Sequence, residues 1–201
     1  MPKCEFCNKV LKTEKGFQNH MCEKKKRFVE FNEVAYHVWL MICNIFRIRI
    51  PKDDNKKKIS FINDVSYNKI VEFTNWVLET QVLNLFEYLK FLKDNEIKII
   101  QWTNSRVYHS WLYNFLNNEP EAIAIKRSKD YLDSINLTLD SISSNRLFLA
   151  IKYGKISNKY LKFCNYDVRN KLDQSQWIEV RPLIITDVVA RMEETLSNRN
   201  F

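Results

Sequence analysis

Glycine is almost missing from this sequence: Gly16 and Gly154 are the only two in 201 residues. Phosphate-cradling loops need backbone that approaches the ligand closely, and tight hairpins usually need a residue at positive φ. Glycine-rich nucleotide-binding loops and hairpin-rich β folds are therefore both disfavoured, whereas helices need neither device. Histidine is scarce too, with only His20, His37 and His109 available for imidazole chemistry. Long apolar runs are absent. The most lipid-like stretch, VAYHVWLMICNIF, is broken by His37 and Asn44 and is too short to span a bilayer, so it reads as a core helix and no membrane partner is expected. The opening MPKCEFC lacks the apolar stretch of a signal peptide. Of the five cysteines, three lie near the start, while Cys43 and Cys164 stand alone in apolar surroundings as ordinary buried thiols. No disulfide framework is implied, and a reducing, cytoplasmic compartment is expected.

What is present is enough apolar material for a packed body, 45% hydrophobic and 13% aromatic. The net charge of +8 is unevenly placed. Residues 1–60 carry 14 Lys and Arg against 7 Asp and Glu, and the remainder carries 18 against 17. The excess thus sits in the first third, which points to an acidic partner such as nucleic acid; the alternative is a solvated face that aids solubility.

That same region holds four soft ligands, Cys4, Cys7, His20 and Cys22. Two cysteines two residues apart form a knuckle that offers both sulfurs to one ion, and a histidine twelve residues on can return from a short helix. Leu11 and Phe17 lie between them. The pattern Cys4-x2-Cys7-x12-His20 closely resembles the C2H2 zinc-finger family. The resemblance implies a small ββα finger holding Zn2+, with Leu11 and Phe17 as a miniature core. So small a module depends on the metal for folding energy. The fourth ligand departs from the family pattern. Cys22 follows His20 by two residues, and such residues do not share a helix face. The helix must end or distort after His20 if Cys22 is to reach the ion; Glu23 or a water is the alternative fourth ligand.

In the family, the positions matching Thr13, Gly16 and Asn19 read bases. Gly16 has no side chain and one finger covers about three base pairs, so sequence-specific readout is not expected. Phosphate contact fits better: Lys9, Lys12 and Lys15 lie within the finger, and Lys24, Lys25, Lys26 and Arg27 follow it. The stretch PKDDNKKK, read as a loop, adds Lys56, Lys57 and Lys58, partly cancelled by Asp53 and Asp54.

Beyond residue 27 the apolar residues recur at helical spacing. Phe31, Val34, Ala35, Val38, Ile42 and Phe46 predict one helix; whether it continues the finger is left open. Asn63 or Asp64 caps another, bearing Ile70, Phe73, Trp76 and Val77, and Leu83 to Leu92 a third. EIKIIQW reads as a strand or an extended connection. Asn104 or Ser105 opens a helix with Val107, Trp111, Leu112 and Phe115. Pro120 marks the start of one with Ile123, Ile125 and Tyr131. A helix from Asp140 to Tyr153 should stop at Gly154, shorter pieces follow, and PLIITDVVARMEETL closes the chain as a helix with Asp187, Glu193 and Glu194 exposed. Trp39, Trp76 and Trp111 belong to the core, whereas Trp102 and Trp177 are less clearly patterned and stand as candidate surface anchors. The expected architecture is mainly α: a finger with a basic extension over 1–27, then a helical domain over 28–201.

No catalytic constellation emerges. His37 and His109 sit in helical runs as structural residues. Asp94, Glu96 and Lys98 hold half of a nuclease cluster without the strand that would carry the other carboxylate. No small-molecule substrate is expected. The H-x-C finger ending, CEKKKR and NRLFLAIKYGKIS in a helical body are similar to small finger proteins of T4-like tailed phages. That resemblance implies a viral origin and a place in the host cytoplasm or the virion. The expected function is non-enzymatic, non-specific nucleic-acid binding in phage replication, recombination or transcription. The alternative is a virion assembly protein whose finger stabilises a protein-docking tip.

Overall fold

The computed structural model describes residues 1–184. Its secondary structure is helical, as expected. The helices are α1 (Glu14–Gln18), α2 (Glu23–Val29), α3 (Glu33–Ile45), α4 (Asp54–Ile62), α5 (Tyr67–Thr80), α6 (Leu85–Asp94), α7 (Ser105–Asn118), α8 (Glu121–Ser134), α9 (Ser144–Lys152), α10 (Asn158–Phe163) and α11 (Gln174–Ile184). Single 3-10 turns lie at Ile99–Gln101 and Val168–Asn170. None of these described helices is long and apolar enough to cross a membrane.

No β-strand forms among the described residues, so the expected ββα finger is not built. Its two strands shrink to one isolated antiparallel bridge between Lys3 and Val10. The arms carry Pro2, Lys3, Glu5 and Lys9, residue types that favour a pleated ladder poorly. EIKIIQW is likewise a 3-10 turn rather than a strand.

Side-chain caps mark many of the helix starts. Asn32 accepts the Ala35 amide at 2.9 Å, Asp53 that of Lys56 at 2.9 Å, and Asn104 that of Arg106 at 2.8 Å. PKDDNKKK is therefore the start of α4 and not a loop. Asp53 caps it, Asp54 favours the positive end of the helix dipole, and Lys57 pairs with Asp54 at 2.7 Å.

The chain divides into two compact units, one of Met1–Glu79 with Leu85–Thr103, the other of Thr80–Asn84 with the residues from Asn104 onward. The core of the first unit is aromatic. Phe61 is fully buried and meets the rings of Tyr67, Trp39, Tyr36 and Phe31 at 4.9 to 5.9 Å between centroids. Polar handles are satisfied as they go under: the Trp39 indole donates to Asp64 at 2.9 Å and the Tyr88 hydroxyl to the Trp102 carbonyl at 2.8 Å. Trp102 is only 4% exposed, packs on Phe46 and Phe73, and donates to the Ile97 carbonyl, so it is a core residue and not a surface anchor.

The second unit packs α8 with α10, and α11 with α7 and α9, around Leu132, Ile142, Leu147, Ile151, Leu161 and Val180. Trp177 is half-buried against this cluster with the Arg169 guanidinium 5.5 Å from its ring, which makes it a packing residue as well. Glu119 is buried and forms a two-pronged pair with Arg127, at 2.6 and 2.9 Å. The remaining Arg127 nitrogen donates to the Gly154 and Lys155 carbonyls, tying the start of α8 to the end of α9. Gly154 stops α9 as expected, at φ +75°, and an added Cβ would lie 2.7 Å from Leu112 Cδ1. Gly154→Ala is expected to destabilise this unit by about 2 kcal/mol through strain and overpacking together, read as a lower urea midpoint. An unchanged midpoint would contradict that geometry. Pro182, expected to open the last helix, lies inside α11. The rest of that segment, with Asp187, Glu193 and Glu194, lies outside the described residues.

Candidate metal centre

Cys4 and Cys7 flank a tight turn. The Asn8 amide donates to the Cys4 carbonyl at 2.8 Å and the Cys4 amide to the Lys9 carbonyl at 2.9 Å. Asn8 takes φ 60°, a left-handed backbone that asparagine tolerates better than most residues, and so closes the knuckle without glycine. Burial pushes the Cys4 thiol pKa up, but the Cys7 and Phe6 backbone amides hydrogen-bond its sulfur, Cys7 and Cys22 add to them, and the net effect is a lowered pKa. The Cys7 thiol shifts the other way: the Lys9 amide lowers its pKa, but burial and the Cys4 and Cys22 sulfurs raise it on balance, so the clustered thiols compete for ionisation.

α1 follows, capped by Thr13, whose hydroxyl accepts the Gly16 amide at 3.0 Å. It is only five residues long and ends at Gln18, with Asn19 as its C-cap, so His20 already stands outside it. This break answers the difficulty posed by His20-x-Cys22. A helix would point the two side chains apart, whereas extended backbone puts residues two apart on the same side. Cys22 is extended, at φ −82° and ψ 163°, and begins α2 as its N-cap, its sulfur accepting the Lys25 amide at 3.4 Å.

The four ligand atoms all lie within 4.8 Å of one another. Cys4 Sγ is 3.9 Å from Cys22 Sγ, and Cys7 Sγ is 3.2 Å from His20 Nε2. A tetrahedral ion with metal–sulfur bonds of about 2.3 Å and a metal–nitrogen bond of about 2.0 Å needs sulfur–sulfur edges of about 3.8 Å and sulfur–nitrogen edges of about 3.5 Å. The four side chains can therefore hold one metal ion, and three thiols with one imidazole are a donor set consistent with zinc. Leu11 and Phe17 are half-buried, Phe17 lining a small pocket with Cys4 and His20, and the Phe6 and Phe28 rings meet at a tilt with centroids 5.1 Å apart.

The basic residues separate into two groups. Lys9, Lys12, Lys15 and Lys26 are exposed and Lys24 is half-buried, and none of the five is in an ion pair among the described residues. Lys25 instead donates to the His20 carbonyl at 3.2 Å. Arg27 turns inward: its guanidinium donates to the Ile62 carbonyl at 3.2 Å and to Asn68 Oδ1 at 3.3 Å, pairs with Glu23 at 3.3 Å, and lies 4.2 Å from the Tyr67 ring centroid. Ile62 is the last residue of α4, so its carbonyl is one that the helix itself leaves unpaired. Nothing in the run Lys24-Lys25-Lys26-Arg27 distinguishes the last residue; the signal is the partners, 35 and 41 positions away. Of the further lysines, Lys58 lies over the Phe31 ring with Glu33 at 3.9 Å, and Lys56 is exposed.

Elsewhere, a groove of about 430 Å3 in the second unit runs between a stripe of α7, Arg106, His109, Ser110 and Tyr113, and residues Glu179, Pro182 and Leu183 of α11. Burial, reinforced by Lys152, lowers the pKa of His109, and its Nε2 is buried without a hydrogen-bond partner. The chain matches no protein-family model, no curated protein and no solved structure.

Proposed function

We propose that this is a non-enzymatic zinc-binding accessory protein that holds nucleic acid through its phosphates, in viral replication, recombination or transcription. The observation that carries the reading is a metal-ligating knuckle bordered by five lysines free of ion pairs, beside a helix too short to read bases. Zinc is the metal favoured by a tetrahedral set of three sulfurs and one imidazole nitrogen. At α1, the Thr13 hydroxyl oxygen is engaged in the cap and Gly16 offers no side chain, which leaves Asn19 as the one unengaged reading position for a major-groove code of the finger type. Lysines as mobile point charges suit phosphates of any sequence.

The test is a salt titration of zinc-loaded protein on labelled single- and double-stranded DNA. Affinity should be indifferent to sequence and fall steeply with salt, by a slope of about 0.9 per phosphate contacted on duplex. Replacing Lys12, Lys15, Lys24 and Lys26 with alanine should flatten that slope by about 3.6 if all four reach phosphates. Absence of binding at low salt, with metal retained, would contradict the reading. It would favour the alternative of a docking tip, for which Met21, Phe28 and Val29, respectively 59%, 44% and 65% exposed, supply apolar surface.

A further inference from the structure

We propose that the metal site and the Arg27 contact are energetically coupled, so that metal occupancy decides whether the basic helix α2 is latched to the body of the first unit or released from it. The proposal rests on the reading of Cys4, Cys7, His20 and Cys22 as a metal site and extends it to the regulation of the neighbouring lysines.

α2 has no means of standing alone. It is seven residues long and buries none of them, and helices so short are unstable in water without tertiary support. Two supports are visible, one at each end. At its start, Cys22 is both a metal-site ligand and the helix cap, and one sulfur position serves the two roles. Near its end, Arg27 closes four interactions on residues from α2, α4 and α5: Glu23, the Ile62 carbonyl, Asn68 and the Tyr67 ring. The Phe6–Phe28 contact adds a second path, since Phe6 lies inside the cysteine knuckle and Phe28 follows Arg27. Metal bound at one end therefore fixes the helix that presents Arg27 at the other, and Arg27 in its pocket holds Cys22 where the metal needs it. Without the metal, Cys22 loses its fixed position, the helix loses its start, and Lys24 to Arg27 become a flexible basic segment.

Coupling of this kind is reciprocal: if metal favours the latch, the latch must favour metal by the same factor. An independent finger makes the opposite prediction, because Arg27 lies five positions beyond the last ligand and touches none of the four. Metal affinity should be measured by competition with a chromophoric chelator on the full chain, without nucleic acid. Arg27→Ala is expected to weaken zinc binding about 10-fold. Arg27→Lys should be intermediate, since it keeps the charge and loses the fork. Lys26→Ala, on the same helix but exposed, should leave the affinity unchanged. The reverse direction is read on the unmodified chain, so it does not depend on a variant folding. Chelation should abolish hydrogen-exchange protection of the amides of residues 26–30 and of the Arg27 side-chain Nε–H. Equal zinc affinity in Arg27→Ala and the parent chain, or undiminished protection after chelation, would overturn the coupling. Neither readout involves DNA, so their failure is distinct from failure of the nucleic-acid reading; a parent chain that binds no metal would refute the site itself.

Discussion

Cys7→Ser is expected to weaken metal binding more than about 100-fold, since even outer-shell partners of a metal ligand cost 10–100-fold when removed. The variant should then emerge from purification with well under one equivalent of metal. The local effect should be unfolding of residues 2–22, because little else holds them. Only Cys4 is buried in that stretch, the strand pairing is one bridge, and α1 is a single turn. Structural zinc in small modules supplies about 10–16 kcal/mol of apparent binding energy, more than such a core can replace. The aromatic core of the first unit should survive, because Phe61, Phe73 and Tyr88 draw their neighbours from α3 to α6 and Trp102. The expected spectrum is therefore lost amide dispersion for the finger with the Trp39 and Trp102 indole resonances in place. Full metal occupancy in Cys7→Ser would remove Cys7 from the ligand set.

Phe61→Ala should have the largest effect on stability, about 4 kcal/mol. Phe61 is 0% exposed and sits at the end of α4 beneath Phe31, Tyr36, Trp39 and Tyr67. Truncation removes the ring from these four neighbours at once and leaves a cavity they can fill only by moving. Such movement would also disturb Tyr67, against which Arg27 rests, so zinc affinity should fall with stability. The check is urea denaturation followed by tryptophan fluorescence; a loss under about 1 kcal/mol would mean the ring is not the hub of this core.

Local rules made much of this legible in advance. Cys4, Cys7 and His20 declared themselves by spacing while Cys22, which departs from the pattern, joins their cluster in the structure; the helical class followed from glycine scarcity and apolar recurrence, and the end of α9 from Gly154. His20-x-Cys22 alone requires the helix to end or distort after His20; α1 ends earlier, at Gln18, and leaves His20 outside the helix. The errors fall where a residue's role is set by distant partners. Val34 and Ile123 fit the apolar helical spacing, yet they are exposed at 48% and 56%, and α8 buries Ala124 and Ser128 instead. Ser128 goes inside because its hydroxyl donates to Ala124 and accepts the Ser157 amide, a small polar contact that hydrophobic periodicity cannot register. The start of α4 was hidden because charge alone suggested a loop, although Asp53 three residues before Lys56 is a capping signal. Arg27 looked like one more phosphate ligand in a basic run, and its partners in α4 and α5 are invisible at sequence distance.

The most direct measurement is zinc-edge X-ray absorption on the zinc-loaded chain. The first shell should contain three sulfurs at about 2.3 Å and one nitrogen at about 2.0 Å, with Cys22→Ser reducing the sulfur count to two. A shell of two sulfurs with oxygen in the parent chain, unchanged by Cys22→Ser, would contradict the account. Cys22 would then cap α2 without holding the metal, and the link from ion to basic helix would be gone.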